Sequence, residues 1–94
     1  MKIEGFIWLE DVVEKLLVKH RVSQSEVEEV FSNSPKFRFV EKGHRPKENV
    51  YATLGRSDAG RYLICFFVLK IGNLALILSA RDMTDSERKR YEKK

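Results

Sequence analysis

A single cysteine, Cys65, stands among 94 residues, so no disulfide can form within the chain and any core must hold without one. Cys65 lies in an apolar run and reads as a small buried hydrophobe rather than a reactive thiol. With that one cysteine, and histidines only at positions 20 and 44, no zinc-ligand spacing exists, and no metal or other cofactor is expected. The longest apolar run, Tyr62 to Leu69, falls far short of the ~20 residues of a membrane helix. The opening Met1-Lys2-Ile3-Glu4-Gly5 lacks the apolar stretch and cleavage site of a secretory signal. The expectation is therefore a soluble, cytoplasmic protein with no membrane contact. Neither GxxxxGK(S/T) nor GxGxxG occurs, which removes the common phosphate-cradling loops. Gly55-Arg56-Ser57-Asp58-Ala59-Gly60 is one residue too long for a GxSxG nucleophile elbow, and the chain is too short for an α/β-hydrolase. No repeat, linker or low-complexity segment breaks the chain, so one domain over residues 1–94 is expected.

What is present is ordinary globular material, 43% hydrophobic and 34% charged. The net charge of +4 is unevenly spread. Residues 1–35 hold 4 basic and 7 acidic residues, residues 36–61 hold 7 basic and 3 acidic, and residues 81–94 hold 6 basic and 4 acidic. A basic middle and end are compatible with a nucleic-acid surface, and equally with a solvated, slightly basic exterior.

Hydrophobic spacing predicts a helix from Leu9 to His20, with Leu9, Val12, Val13, Leu16 and Leu17 on one apolar stripe. Phe6 and Trp8 precede it and are expected to pack onto the core. Ser23-Gln24-Ser25-Glu26 has the form of a capping box, with Val22 and Val27 placed as a hydrophobic staple, so a second helix starts at Ser23; Asn33-Ser34-Pro35 ends it. The period then changes to two. Strands are expected at Lys36–Val40, Val50–Leu54, Arg61–Leu69 and Leu74–Ala80, the third too apolar for a solvated face and so central. A polar loop, Glu41 to Asn49, holds Gly43, His44 and Pro46. Thr84-Asp85-Ser86-Glu87 is a second capping box, opening a short basic helix through Tyr91. Short links favour antiparallel neighbours. The expected fold is α+β: two N-terminal helices, a four-stranded antiparallel sheet on which the helices pack, and a short C-terminal helix.

Polar groups collect at element ends: Lys19 and His20 closing helix one, Arg56 and Arg61 flanking the turn between the second and third strands, Arg81 after the last strand, and Tyr91 in the last helix. Metal-independent RNA cleavage needs such groups. A base takes the ribose 2′-hydroxyl proton, an acid protonates the leaving oxygen, and cations hold the charge of the phosphorane. Histidine suits either proton role, arginine offers a planar fork to phosphate oxygens, and tyrosine can donate a proton or stack on a base. Each residue also has a plain structural alternative. His20 can cap a helix C-terminus, Arg56 can be a solvated turn residue, Arg81 can pair with Asp82 or Asp85, and Tyr91 can close the core. Arg61, opening an otherwise apolar strand, is the hardest to dismiss.

Six segments together resemble the BrnT toxin family. Phe6-Ile7-Trp8 is similar to an opening F-x-W, Lys19-His20-Arg21-Val22-Ser23 to K-H-G-V-S, and Glu26-Val27-Glu28-Glu29-Val30-Phe31 to E-V-E-E-V-F. Tyr51-Ala52-Thr53-Leu54-Gly55-Arg56 resembles Y-x-A-L-G-R with one residue shifted, and Asp58-Ala59-Gly60-Arg61-Tyr62-Leu63 resembles D-A-G-R-x-L. Ser79-Ala80-Arg81-Asp82-Met83-Thr84, with Glu87-Arg88 and Tyr91, resembles S-A-R-x-M-T-x-x-E-R-x-x-Y. The resemblance implies a RelE-like fold, RNA cleavage that arrests translation, and neutralisation by a BrnA-like ribbon-helix-helix antitoxin. It also implies a heterotetramer that binds promoter DNA through the antitoxin. It points to His20, Arg61, Arg81 and Tyr91 as catalytic residues and to Lys19, Arg56 and Arg88 as RNA contacts. On that reading Arg61, Arg81 and one of His20 or Tyr91 should meet in a single basic concavity. Leu9, Val12 and Leu16 stand where many family members carry polar residues, and Arg21 where a glycine commonly closes helix one. These departures motivate an alternative, a catalytically silent module that binds an antitoxin-like protein or nucleic acid.

Overall fold

The computed structural model describes residues 1–45 and 48–93. Pro46 of the expected polar loop, with Lys47 and Lys94, lies outside the described residues. In chain order the elements are β1 (Gly5–Ile7), α1 (Glu10–Lys15) running into a π-helical turn (Leu16–His20), α2 (Gln24–Ser32), β2 (Lys36–Glu41), β3 (Val50–Arg56), β4 (Tyr62–Lys70), β5 (Leu74–Asp82) and α3 (Asp85–Glu92). Among the described residues no helix is long and apolar enough to cross a membrane.

Both capping boxes form. Ser23 Oγ accepts from the Glu26 amide at 3.1 Å while Glu26 Oε1 accepts from the Ser23 amide at 3.0 Å. Thr84 Oγ1 accepts from the Glu87 amide at 3.2 Å and Glu87 Oε1 from the Thr84 amide at 2.8 Å. Orphan amides at both helix starts are thereby satisfied reciprocally. The staple residues Val22 and Val27 are both fully buried.

Helix one departs from the expected stripe. Leu16 is buried, but Leu17 is 50% and Val18 75% exposed, and Leu9 is exposed as well. The α-helical spacing used to draw the stripe fails at Leu16, where the ladder widens: the Arg21 amide reaches back to the Leu16 carbonyl, a π-type bond. The wider turn rotates Leu17 away from the core and ends at Arg21 in the left-handed conformation (φ 52°, ψ 39°).

The sheet has five strands in the order β1-β5-β4-β3-β2. Strands β2 to β5 pair antiparallel, with β4 central as its apolarity implies. The expected four-stranded antiparallel sheet is corrected to a five-stranded mixed one, because β1 adds to β5 in parallel, Gly5 opposite Leu74 and Ile7 opposite Leu76. Three residues are too few to show alternation, and a parallel partner so distant in sequence leaves no turn signal. The expectation of helices gathered on one sheet is also refined. α1 and α2 cover one face, packing Leu16, Val22, Val27 and Val30 on Leu63, Cys65, Phe67, Ile77 and Ala80. Across that core Phe6 meets Phe31 edge-on at 5.0 Å. The chain around α3 covers the opposite face, with Met83 and Tyr91 packed on Ala52, Leu54 and Ile64. Gly55 lets α2 approach β3: a Cβ there would stand 3.0 Å from both the carbonyl oxygen and a methyl of Val30.

Candidate functional site

The two faces of the sheet divide the candidate residues. Ile64 pairs with Arg81 and Leu63 with Asp82. Because successive strand side chains alternate, Arg81 joins the α3 face and Asp82 the face covered by α1 and α2. Arg61 follows Asp82. Its Nε and Nη2 donate to Asp82 Oδ1 and Oδ2 at 2.8 and 3.1 Å. Its Nη2 also donates to the His20 carbonyl at 2.9 Å, and Nη1 to the Arg21 carbonyl at 2.7 Å and Glu26 Oε2 at 3.4 Å. All five N–H bonds of this guanidinium thus point at protein acceptors. They tie together the end of the π-helical turn, the capping carboxylate of α2 and the end of β5. The Arg61 hydrogen bonds hold the Asp82 carboxyl below the ordinary carboxylate range against its partial burial; the Arg61 charge and then His20 add to the effect. His20 is half-buried beside this clamp and Lys19 is exposed next to it.

On the α3 face Arg81 is likewise closed by a carboxylate. Its Nη1 and Nη2 donate to Glu87 Oε1 and Oε2 at 2.7 and 3.0 Å, and Nη1 also reaches the Asp82 carbonyl at 3.1 Å. This fork, with the Thr84 cap, holds Glu87 at a pKa of about 2, the Arg81 hydrogen bond being the largest cause. The expected pairing of Arg81 with Asp82 or Asp85 side chains is replaced by this one.

The remaining candidates gather around an aromatic that sequence reasoning did not select. Two guanidiniums stand over the Tyr62 ring, Arg56 at 4.7 Å and Arg88 at 4.0 Å from its centroid, and Tyr62 meets Tyr91 edge-on at 6.1 Å. Lys36 sits 5.2 Å from the Tyr91 ring and caps the C-terminal end of α3 through the Tyr91 and Lys93 carbonyls, a favourable place for a cation. Tyr91 donates to the Ser34 carbonyl at 3.2 Å. Arg56 uses only Nε, in a long 3.4 Å bond to the Gly60 carbonyl, so its two amino groups are unengaged among the described residues. Arg56 and Tyr91 both line an open cleft of about 680 Å³, with Asn33, Ser34, Ser57 and Asp58. The signal for Tyr62 was available: a five-residue turn makes Arg56 and Tyr62 cross-strand partners.

The expected single concavity is therefore not what the structure shows. Arg61 with His20 and Lys19 belongs to the helical side; Arg56, Arg81, Arg88 and Tyr91 share the α3 face, with Tyr62 and Lys36. Among the described residues no group of three or more His, Cys, Asp or Glu is placed to hold a metal ion.

A mixed five-stranded sheet with two helices on one face and a third closing the other is also the fold of a solved ribonuclease toxin. The 1.1 Å crystal structure of the Brucella abortus toxin BrnT superposes with a TM-score of 0.63 at 14% identity, covering 89% of this chain and 100% of that one. Comparison with curated protein sequences finds no match. The family model described as the ribonuclease toxin BrnT of type II toxin–antitoxin systems matches residues 8–87. The chain belongs to the BrnT family. A type II toxin is paired with a protein antitoxin, so membership implies such a partner.

Proposed function

We propose that the chain is the toxin of its pair, a RelE-like, metal-independent endoribonuclease of the cytoplasm that cleaves RNA and so arrests translation. The observation that carries this reading is the open cleft between the end of α2, the β3–β4 turn and α3, lined by both Tyr91 and Arg56, whose amino groups are unengaged among the described residues. The reaction needs a cation at the phosphate, a base and an acid. The ribose 2′-oxygen forms a bond to the adjacent phosphorus, the bond from phosphorus to the 5′-oxygen breaks, the 2′ proton leaves to a base, and an acid protonates the departing oxygen. Arg56, with Arg88 also over the Tyr62 ring, holds the charge that develops on the phosphate. Tyr91, which lines the cleft, is the proton-handling group. His20, on the other side of the sheet, serves with Arg61 in the fold. A BrnA-like ribbon-helix-helix antitoxin would cover the toxin in a heterotetramer and carry the complex to promoter DNA.

One observation favours the second reading, a silent binding module: both Arg61 and Arg81 are matched by carboxylates. Induced expression in a bacterial host separates the two, with growth and total RNA followed for wild type, Arg56→Gln, Tyr91→Phe, Arg81→Ala and His20→Ala. The ribonuclease reading expects arrest with RNA loss, relieved by Arg56→Gln and Tyr91→Phe in soluble protein and retained by soluble His20→Ala. Normal growth with soluble, folded wild type selects the silent module.

A further inference from the structure

Sheet register draws one row of four residues across the α3 face: Arg38 on β2 opposite Ala52, Ala52 opposite Phe66, and Phe66 opposite Ser79 on β5. The next row on that face is Lys36, Leu54, Ile64 and Arg81, over which Met83 and Tyr91 pack. On the far side Val50, Val68 and Leu76 line a cavity of about 440 Å³ with residues of the β2–β3 loop. The row between lies next to the one that Met83 and Tyr91 cover. Phe66 is half-buried there, resting on Ala52, Leu54 and Ile64. Its cross-strand neighbours are the small Ala52 and Ser79. The Arg81 guanidinium stands 5.7 Å from its centroid, and the fork to Glu87 makes Arg81 a fixed planar neighbour rather than an unmatched charge. Arg38 differs. Its side chain is half-buried and makes no hydrogen bond or ion pair among the described residues. It stands two strands from Phe66, about 10 Å away at strand spacing.

A half-buried aromatic ring with one arginine over it and an unmatched arginine one nucleotide's reach away supplies the groups that hold a single nucleic-acid strand: bases stack on aromatics, and cations track phosphates. An acidic peptide would use the arginine but has no need of the ring. We propose that Phe66 and Arg38 form a nucleotide-binding strip that leads the RNA strand into the Tyr91 cleft, one base stacking on Phe66 and a neighbouring phosphate pairing with Arg38. The strip rests on the ribonuclease reading above and assigns two binding residues beyond it.

The test is binding of a short single-stranded RNA with 2′-O-methyl sugars, which cannot be cleaved by 2′-oxygen attack, followed by fluorescence anisotropy over a range of salt. A matched strand with abasic positions keeps the phosphates and removes the bases. Phe66→Leu keeps the apolar volume and should weaken binding to the intact strand about 5- to 100-fold, with no effect on the abasic strand. Phe66→Trp should restore it. Arg38→Gln should weaken both strands and lower the salt slope by about one phosphate contact. Melting curves confirm that each variant is folded. Wild-type affinity for the intact strand in folded Phe66→Leu overturns the strip; if that variant also cleaves unblocked RNA like wild type, the ribonuclease reading survives the loss. A wild-type protein that neither binds the blocked strand nor cleaves the unblocked one overturns both.

Discussion

Arg81 and Asp82 are consecutive in β5 yet serve opposite faces of the sheet, each closing a bidentate pair: Arg81 with Glu87 on the α3 side, Asp82 with Arg61 on the helical side. Two arginines with the same look in the sequence therefore hold different parts of the molecule together, and the strand's period of two separates them.

The Arg61 clamp makes a stability prediction. Arg61→Ala leaves Asp82 and the His20 and Arg21 carbonyls without their donor, so unfolding free energy should drop on the order of 2 kcal/mol in denaturant titration. Arg61→Lys should not restore it, because a single ammonium cannot reproduce five donors in a plane. Wild-type stability in either variant would contradict a clamp.

Arg21 closes the π-helical turn at φ 52°, a conformation that costs a side-chain-bearing residue about 1–2 kcal/mol and glycine far less. Arg21→Gly should therefore stabilise the protein, by up to about 1 kcal/mol once glycine's larger unfolded-state freedom is subtracted. The Arg21 carbonyl still accepts from Arg61, so the clamp persists. A lower melting midpoint would contradict this assignment of strain.

Thr53 is fully buried, and its hydroxyl has no hydrogen-bond partner among the described residues. Thr53→Val keeps the branched shape and removes the unmatched group. Thermal unfolding should show a gain of about 1 kcal/mol or more.

Glu87 carries the acid sensitivity of α3. Its carboxyl titrates at about 2 in the fold against an ordinary 4.5. A depressed carboxylate pKa contributes stability that is complete above about 4.5 and is lost as pH falls from there toward 2. Glu87→Gln should cost about 1 kcal/mol at neutral pH through the weakened cap. The difference between it and wild type should shrink as pH drops through that window. A difference independent of pH would contradict the Arg81 pairing.

The folded chemistry of Cys65 follows from its place in the β4 core, where burial pushes its thiol up to about 12. A thiol reagent at neutral pH should label it only as fast as the protein unfolds.

Much of this architecture was legible in the sequence, for local reasons. Both capping boxes and the staple are written in residues five or fewer apart, and the structure keeps them; the alternation of β2 is kept only at its start, where Phe37 packs on the core, while Phe39 is exposed and Arg38 half-buried. Helix one was legible up to Leu16, after which a π turn breaks the 3.6-residue period that places side chains. β1 was not legible, since its three residues find their partner about seventy positions later. The site was legible in kind and not in arrangement. Arg56, Arg81, Arg88 and Tyr91 share a face, but the faces of Arg61 and Arg81 depend on pairing register, which only the sheet supplies. Tyr62, Lys36, Arg38 and Phe66 look ordinary along the chain and join the α3 face only across strands.

The most direct test of the proposed chemistry is cleavage of a defined RNA by purified, folded protein in excess chelator, with the new ends identified. Attack by the ribose 2′-oxygen, served by Arg56 and Tyr91, predicts cleavage undiminished by the chelator, 2′,3′-cyclic phosphate ends, and loss of activity in folded Arg56→Gln and Tyr91→Phe. Activity that vanishes with chelator, or products with 5′-phosphate ends, would contradict it.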